Sequence, residues 1–415
     1  MNIKPDRIKE DIEAIFAFNA TPGQGFTRFS FSAEDRLARD YLTRFALGLG
    51  LEAAGDFAGN VHIRYPAGAG GGRAIMFGSH LDTVLNGGRY DGLVGVAAAM
   101  EVLRVLTENS YKPRHPLAMI AFAEEEGSNF GLTMLGSKLI SGALPLNKLP
   151  ELKNRDGQTA DSVLNHFLGR AEPREGELLR PEDLAAFVEL HVEQSGRLER
   201  RRKLIGLVET ISGLENYRII ISGQADHAGS TPMADRRDAL AAASAIMADI
   251  YDFAAGRGRP SCVATVGALA AEPNIPNIVS GRASFTIDFR SSDESDFLNF
   301  RQVLEAAVKK TAEKYRVGIN CESTFRSAVV TMSEEITRVI AEVAEAGRCP
   351  FMRLHSGAVH DSASMARIAP AALIFIPSRD GKSHCPQEYS SWEDIAAGAQ
   401  VMLETIIRLD QSFEE

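Results

Sequence analysis

The sequence predicts an α/β protein built on an open sheet, with a smaller α+β sandwich inserted in its C-terminal half. Four short apolar runs, at residues 74–77, 116–122, 186–190 and 371–377, have the length and continuous hydrophobicity of strands buried on both faces. Each leads, directly or through one turn, into histidine or carboxylate residues, and open α/β sheets build their sites beyond the carboxyl ends of their strands. From about residue 212 to about 330 the texture changes to strands with period-two alternation and intervening helical segments, the pattern of a second unit. A chain of 415 residues with 45% apolar content is long for one domain. The expected division is 1–211 with 329–415, and 212–328 between them.

In chain order, residues 6–20 and 33–49 carry helical spacing of apolar residues, the second with Ser32 as N-cap. The run at 74–77 opens into Gly78-Ser79-His80-Leu81-Asp82, and a glycine-rich turn follows, Asn86-Gly87-Gly88-Arg89-Tyr90-Asp91-Gly92. A neutral imidazole and ionised carboxylates suit a borderline divalent ion such as zinc, although Asp-Gly is also a common turn and a histidine at a strand end is often only hydrogen-bonded. An Ala/Val/Leu-rich amphipathic helix over 93–106 places Asp91 beside a helix N-terminus. The run at 116–122 ends in Glu124-Glu125-Glu126, three carboxylates that repel one another unless a cation offsets them or the loop is simply solvated. The run at 186–190 delivers His191, Glu193 and Gln194, and the run at 371–377 leads through a turn to Ser383-His384-Cys385-Pro386. In the inserted segment, strands are expected at 217–223 and 284–290, and helices at 235–253 and 294–315. A helix over 392–408 closes the chain.

The formal net charge of −10, without a long Lys/Arg block, argues against nucleic acid or an anionic membrane as partner. Cys262, Cys321, Cys349 and Cys385 show no paired spacing and read as free thiols of a reducing compartment. The first residues lack an apolar stretch, and no run approaches the roughly 18 apolar residues of a membrane span. A cytoplasmic protein is the expectation.

Taken together, Gly-Ser-His-Leu-Asp-Thr, Asn-Gly-Gly-x-Tyr-Asp-Gly, Glu-Glu-Gly-Ser, His-Val-Glu-Gln, His-Ala-Gly-Ser-Thr-Pro-Met, Pro-Asn-Ile-Val-x-Gly and Ser-His-x-Pro-x-Glu resemble the dinuclear-metal amidohydrolases related to aminoacylases and di-zinc carboxypeptidases. The branch they resemble holds N-carbamoyl-L-amino-acid hydrolases, β-ureidopropionases and allantoate amidohydrolases. The resemblance implies a mixed-sheet di-zinc exopeptidase-like catalytic domain and an inserted α+β lid and dimerisation domain. It also implies two divalent ions, zinc or else manganese, cobalt or nickel. His80 would bind one ion, Asp91 would bridge both, Glu126 and His191 would each bind one, and His384 would complete the second set. Asp82 would hold the His80 imidazole from behind, and Glu125 would be the general base. His227, in the family usually offered to the partner subunit's site, would help stabilise the oxyanion. Asn277 and Arg290 would bind a substrate carboxylate, with Gln194, Asn216 and Gly357 near the substrate.

Alternatives stay open for single residues: a strand-edge ion pair for Arg290 and a turn histidine for His227. His355 and His360 are read as structural. Relatives usually carry Arg where this chain has Asn129, a small residue where it has Val359, and often a basic residue near Asn216, which leaves the far end of the substrate open. The expected activity is hydrolysis of a carbamoyl or ureido C–N bond in a small carboxylate substrate by a homodimer. The alternatives are an allantoate amidohydrolase, a di-zinc dipeptidase or aminoacylase, and a binding protein that has lost the chemistry.

Overall fold

A computed structural model describes residues 1–66, 72–169, 178–256 and 262–412. The chain forms two compact units: Met1–Glu209 with Thr331–Leu354 and Ala358–Glu415, and Thr210–Val330 with His355–Gly357.

The first unit carries a mixed sheet, ordered β1 (Glu52–Gly55), β2 (Val61–Tyr65), β4 (Leu117–Phe122), β3 (Ala74–His80), β5 (Leu184–Val192), β14 (Ala371–Ile376), β6 (Ile205–Ile211) and β12 (Val330–Thr331), with β13 (Phe351–Ser356) paired to β6. The four central strands β4, β3, β5 and β14 run parallel, so their carboxyl ends share one edge. Register then sets the site. Gly78 lies opposite Glu189, so two residues further on His80 and His191 reach the same level on neighbouring strands, and His191 is itself opposite Phe375.

Alternate residues of these strands feed opposite faces, which is why the runs are almost wholly apolar, Glu189 of β5 being the exception. Met119 and Ala121 of β4 join one core with α1 (Pro5–Phe16), α2 (Ala33–Gly48), α3 (Leu93–Glu108), α9 (Glu334–Ala346) and α11 (Trp392–Ser412). Ile120 and Phe122 join the other, with α4 (Leu135–Ile140), α5 (Ala160–Leu168) and α10 (Asp361–Met365). Ser32 caps α2, its side chain accepting from the Asp35 N–H. The short α6 (Arg197–Arg201) follows β5.

The second unit is a two-layer sandwich. Its sheet is ordered β11 (Gly318–Ser327), β7 (Gly213–Ser222), β10 (Arg282–Ser291) and β8 (Cys262–Thr265), with β9 (Leu269–Glu272) also on β10. The alternation of β10 sends Ala283, Phe285, Ile287 and Phe289 inward against α7 (Ala239–Gly256) and α8 (Glu294–Tyr315), while Thr286, Asp288 and Arg290 line the other face. The rings of Phe289 and Phe300 stack with centroids 3.9 Å apart. α7 is long and apolar enough to cross a bilayer by length and composition, but it lays Ala242, Ala243, Ile246 and Ile250 on this sheet and carries Asp249 and Asp252.

The observed elements depart from the expected ones mainly at ends. The first helix stops at Phe16, and α7 starts at Ala239 because the Asp238 carboxylate takes the N–H groups of Leu240 and Ala241. β8 and β9, four residues each, are too short for a periodic signal. All four cysteines are free thiols. Phe289→Ala should lower the unfolding free energy by about 3–5 kcal/mol through the cavity it leaves. Urea unfolding followed by circular dichroism checks this, and a loss below about 1 kcal/mol would contradict the packing described.

Candidate metal centre

Two groups of potential ligands meet at the carboxyl edge of the first unit's sheet and share one residue: His80, Asp91 and His191, and Asp91, Glu126 and His384. Asp91 Oδ1 lies 3.4 Å from His80 Nε2 and 3.0 Å from His191 Nε2, and Asp91 Oδ2 lies 3.2 Å from His384 Nε2. His384 Nε2 is also 3.3 Å from Glu126 Oε2. Asp91 therefore belongs to both groups, one deep in the protein and one beside the half-exposed His384.

The donor chemistry fits divalent cations. His80 Nδ1 lies 3.0 Å from the Asp82 main-chain oxygen and His191 Nδ1 lies 2.9 Å from the Val192 oxygen, so each Nδ1 carries its proton and donates. The two Nε2 atoms then face each other at 3.3 Å. With both rings neutral they oppose two lone pairs, a conflict that a proton on one ring, or a cation between them and Asp91, removes. Glu125 Oε1 and Glu126 Oε1 are buried without a hydrogen bond among the described residues, a costly arrangement unless a cation is bound.

Charge in the site tells the same story. Burial opposes ionisation of Asp91, yet His191, His384 and His80 hold its carboxyl well below the usual range. Burial drives Glu125 well above that range despite His80, with Glu126 adding to the rise. Burial and Asp91 push Glu126 up to about 8. Burial disfavours a charged His80, but Glu125, Asp91 and Asp82 outweigh it and raise its pKa well above 6.5. The bond to Asp91, against burial, takes His384 up to about 9. The carboxylates demand positive charge, which metal ions deliver by displacing protons.

Local backbone geometry aims the side chains. Gly92 starts α3 with φ +65, and a Cβ there would sit 2.4 Å from the His80 ring. Glu124, Gln194 and His384 adopt left-handed φ of 56, 57 and 56, strain of the kind that collects at functional sites. The twist at Glu124 turns its carboxylate away, where Oε1 accepts the Asn129 and Phe130 N–H groups, so of the three consecutive glutamates only Glu125 and Glu126 reach the histidines. Gln194 Nε2 donates to Asp91 Oδ2 at 2.8 Å. Glu193 lies off the cluster, its carboxylate accepting the Arg197 and Leu198 N–H groups at the start of α6.

The link from Asp82 to His80 differs from the expected one. The main-chain oxygen of Asp82 makes the contact, while its carboxylate, 3.8 Å from His80 Nδ1, accepts the N–H groups of Glu125 at 3.0 Å and Glu126 at 3.1 Å. Asp82 thus orients the glutamate pair as well as the imidazole. His360 is buried with its ring centroid 4.5 Å from that of His191, and Glu189 receives Ser79 and Ser362, a layer behind the cluster that sequence spacing does not reveal. Glu189, His191 and His360 form a third buried group of potential ligands. Burial and His191 hold His360 well below the usual histidine range.

The remaining candidates lie in the second unit. Arg290 forks onto Asp288, Nε to Oδ1 at 2.8 Å and Nη2 to Oδ2 at 3.3 Å, and its Nη1 donates to the Gly357 oxygen at 3.2 Å. Asn216 Nδ2 donates to the same Asp288 at 3.2 Å, so Arg290, Asn216 and Gly357 line one cleft on the sheet face away from the helices. Glu215 points to the buried face and is gripped by Arg301, Arg326 and Tyr217. His227 and Asn277 sit on adjoining segments, His227 bridging to Ile278. His227 Nδ1 accepts the N–H groups of Gly229 and Ser230, which leaves Nε2 as an exposed donor.

Imidazoles and carboxylates thus converge at the carboxyl edge of the sheet, a donor set suited to divalent metal. The chain belongs to Peptidase family M20/M25/M40, whose model matches residues 76–408. It is 34% identical over 406 residues to the N-carbamoyl-L-amino-acid amidohydrolase of Paenarthrobacter aurescens, covering 98% of each chain. It is 33% identical to the allantoate amidohydrolase of Escherichia coli (strain K12), covering 95% of each. It is also similar to a crystal structure of a hydantoinase/carbamoylase-family amidase from Burkholderia multivorans, at 32% identity and TM-score 0.90 over 98% of each chain.

Asp82→Asn would face one of the two glutamate N–H groups with an amide donor. Binding of added Co²⁺ should weaken by about 10–100-fold. Equilibrium dialysis giving an affinity within threefold of wild type would remove Asp82 from the supporting layer.

Proposed function

We propose that the chain is a metal-dependent amidohydrolase that cleaves the carbamoyl C–N bond of N-carbamoyl-L-amino acids. The observation that carries this is the pair of facing imidazoles on Asp91 with Glu125 at their side, His80 Nε2 and Glu125 Oε2 being 3.8 Å apart. The full-length likeness to the Paenarthrobacter enzyme supports the substrate class. A second reading, hydrolysis of allantoate, rests on the likeness to the Escherichia coli enzyme and shares every group named here.

In this reading His80, Asp91 and His191 would hold one divalent ion and Asp91, Glu126 and His384 a second, zinc or alternatively manganese, cobalt or nickel. When bound, the ions polarise the scissile carbonyl and ease deprotonation of water. Glu125, buried and with Oε1 lacking a donor, takes the proton of the attacking water and passes it to the leaving nitrogen. Gln194 orients Asp91 and meets the substrate.

The substrate carboxylate pairs with Arg290, in the region of Asn216 and Gly357, while Asn277 lies beside His227 beyond the opposite end of β10 and would act with it. Arg290 must then share or exchange its fork with Asp288. His227 donates its exposed Nε2–H to the developing oxyanion, in the arrangement of a homodimer formed through the second unit and in the site of the partner subunit. Cytoplasmic location accords with the four free thiols.

Ammonia release from N-carbamoyl-L-amino acids and from allantoate, measured side by side on protein reloaded with Mn²⁺ or Zn²⁺, tests the reading. Preference for the carbamoyl amino acids is expected, and allantoate preference would select the second reading. Glu125→Ala should lower kcat by about 10²–10⁴-fold with metal content unchanged; turnover near wild type would remove Glu125 as the base. Arg290→Ala should raise KM for carboxylate substrates by about 10–100-fold with kcat little altered. An unchanged KM would leave Arg290 as a partner of Asp288 only.

A further inference from the structure

We propose that Glu388 is a positioning residue that clamps the Asp91 turn to the His384 loop, an inference that rests on the dinuclear reading above. Asp91 and His384 come from segments nearly 300 residues apart, and no regular element joins them: Asp91 precedes α3, and His384 sits in a loop with a left-handed backbone. Both must nevertheless meet at one point, their side chains 3.2 Å apart.

Glu388 bridges the two segments with both oxygens. Oε1 accepts the N–H of Tyr90 at 2.8 Å and of Asp91 itself at 3.0 Å. Oε2 lies 2.7 Å from the Ser383 hydroxyl, which is also 2.9 Å from Asp91 Oδ2. One carboxylate thus grips the main chain of the bridging residue and, through Ser383, touches its side chain as well as the residue before His384. The side chain is buried, and the turn is shaped for it: a Cβ on Gly88 would lie 2.3 Å from the Glu388 carboxyl. That accounts for the second glycine of Asn86-Gly87-Gly88 and for the glutamate that ends Ser383-His384-Cys385-Pro386-Gln387-Glu388 by geometry alone. Glu388 reaches no reacting group, so its effect passes through the placement of Asp91 and His384.

Glutamine at this position preserves the clamp. Its oxygen can take the two N–H groups while its NH₂ donates to Ser383 Oγ, freeing the serine hydrogen for Asp91. Alanine removes every contact.

The test is Co²⁺ titration of metal-free wild type, Glu388→Ala, Glu388→Gln and Ser383→Ala, followed by visible absorption and equilibrium dialysis, with kcat and KM measured alongside. Wild type should bind two equivalents. Glu388→Ala should weaken the more loosely held equivalent by about 10–100-fold, change the absorption of that site, and lower kcat while KM moves less than threefold. Glu388→Gln should return both affinities to within about threefold of wild type. Ser383→Ala should give a smaller loss at the same equivalent, and it carries the test if Glu388→Ala does not fold. Two equivalents bound by Glu388→Ala with wild-type affinity would overturn the inference, as would Glu388→Gln failing as badly as Glu388→Ala. Wild type binding fewer than two equivalents would instead sink the dinuclear reading and this inference with it.

Discussion

Negative charge gathered where water is scarce is the constraint on which the first unit depends. Asp91, Glu125 and Glu126 converge with Asp82 behind them, all at most slightly exposed, in surroundings that penalise every unpaired charge. The protein answers with imidazoles whose Nδ1 protons are committed to main-chain carbonyls, leaving the opposite nitrogens to face the carboxylates. Supporting groups follow from the same demand. Asp82 spends its carboxylate on two backbone amides rather than on the histidine, because those amides must be satisfied if the glutamates are to point inward. Glu124, with no place in the cluster, is turned away from it by its own left-handed backbone and, fully buried, holds the next loop.

The fold class was legible in the sequence because its signal is collective. Continuous apolar runs over residues 116–122 and 371–377 report burial on both faces, and alternation over 284–290 reports burial on one. Helix ends were less legible. Asp238 displaces the start of α7 through a side-chain bond that periodicity does not register. Strands of four residues, such as β8 and β9, offer too few positions for a period to emerge.

Within the site, the convergence of His80, Asp91, Glu126, His191 and His384 was legible because each stands at a strand end or in a glycine turn that follows one. What was not legible is the wiring between them. Glu189, His360 and Glu388 gain their places from register and loop geometry across hundreds of residues. The pairing of Arg290 with Asp288 was open in the sequence for a different reason: two residues apart on one strand, they share a face, and either a ligand or the neighbour can satisfy the guanidinium.

The parallel register that sets His80 level with His191 has an evolutionary consequence. A slip of one residue between β3 and β5 would turn one imidazole to the opposite face and empty an apolar side chain into the cluster, so the site and the sheet cannot drift apart gradually. Positions outside that register, such as Asn129 in the loop after β4 and Asn216 on the second unit's sheet, are not bound by it. Diversification of such a lineage is therefore modular: a rigid reacting core that tolerates little change, and peripheral recognition residues that can be exchanged one at a time without refolding it.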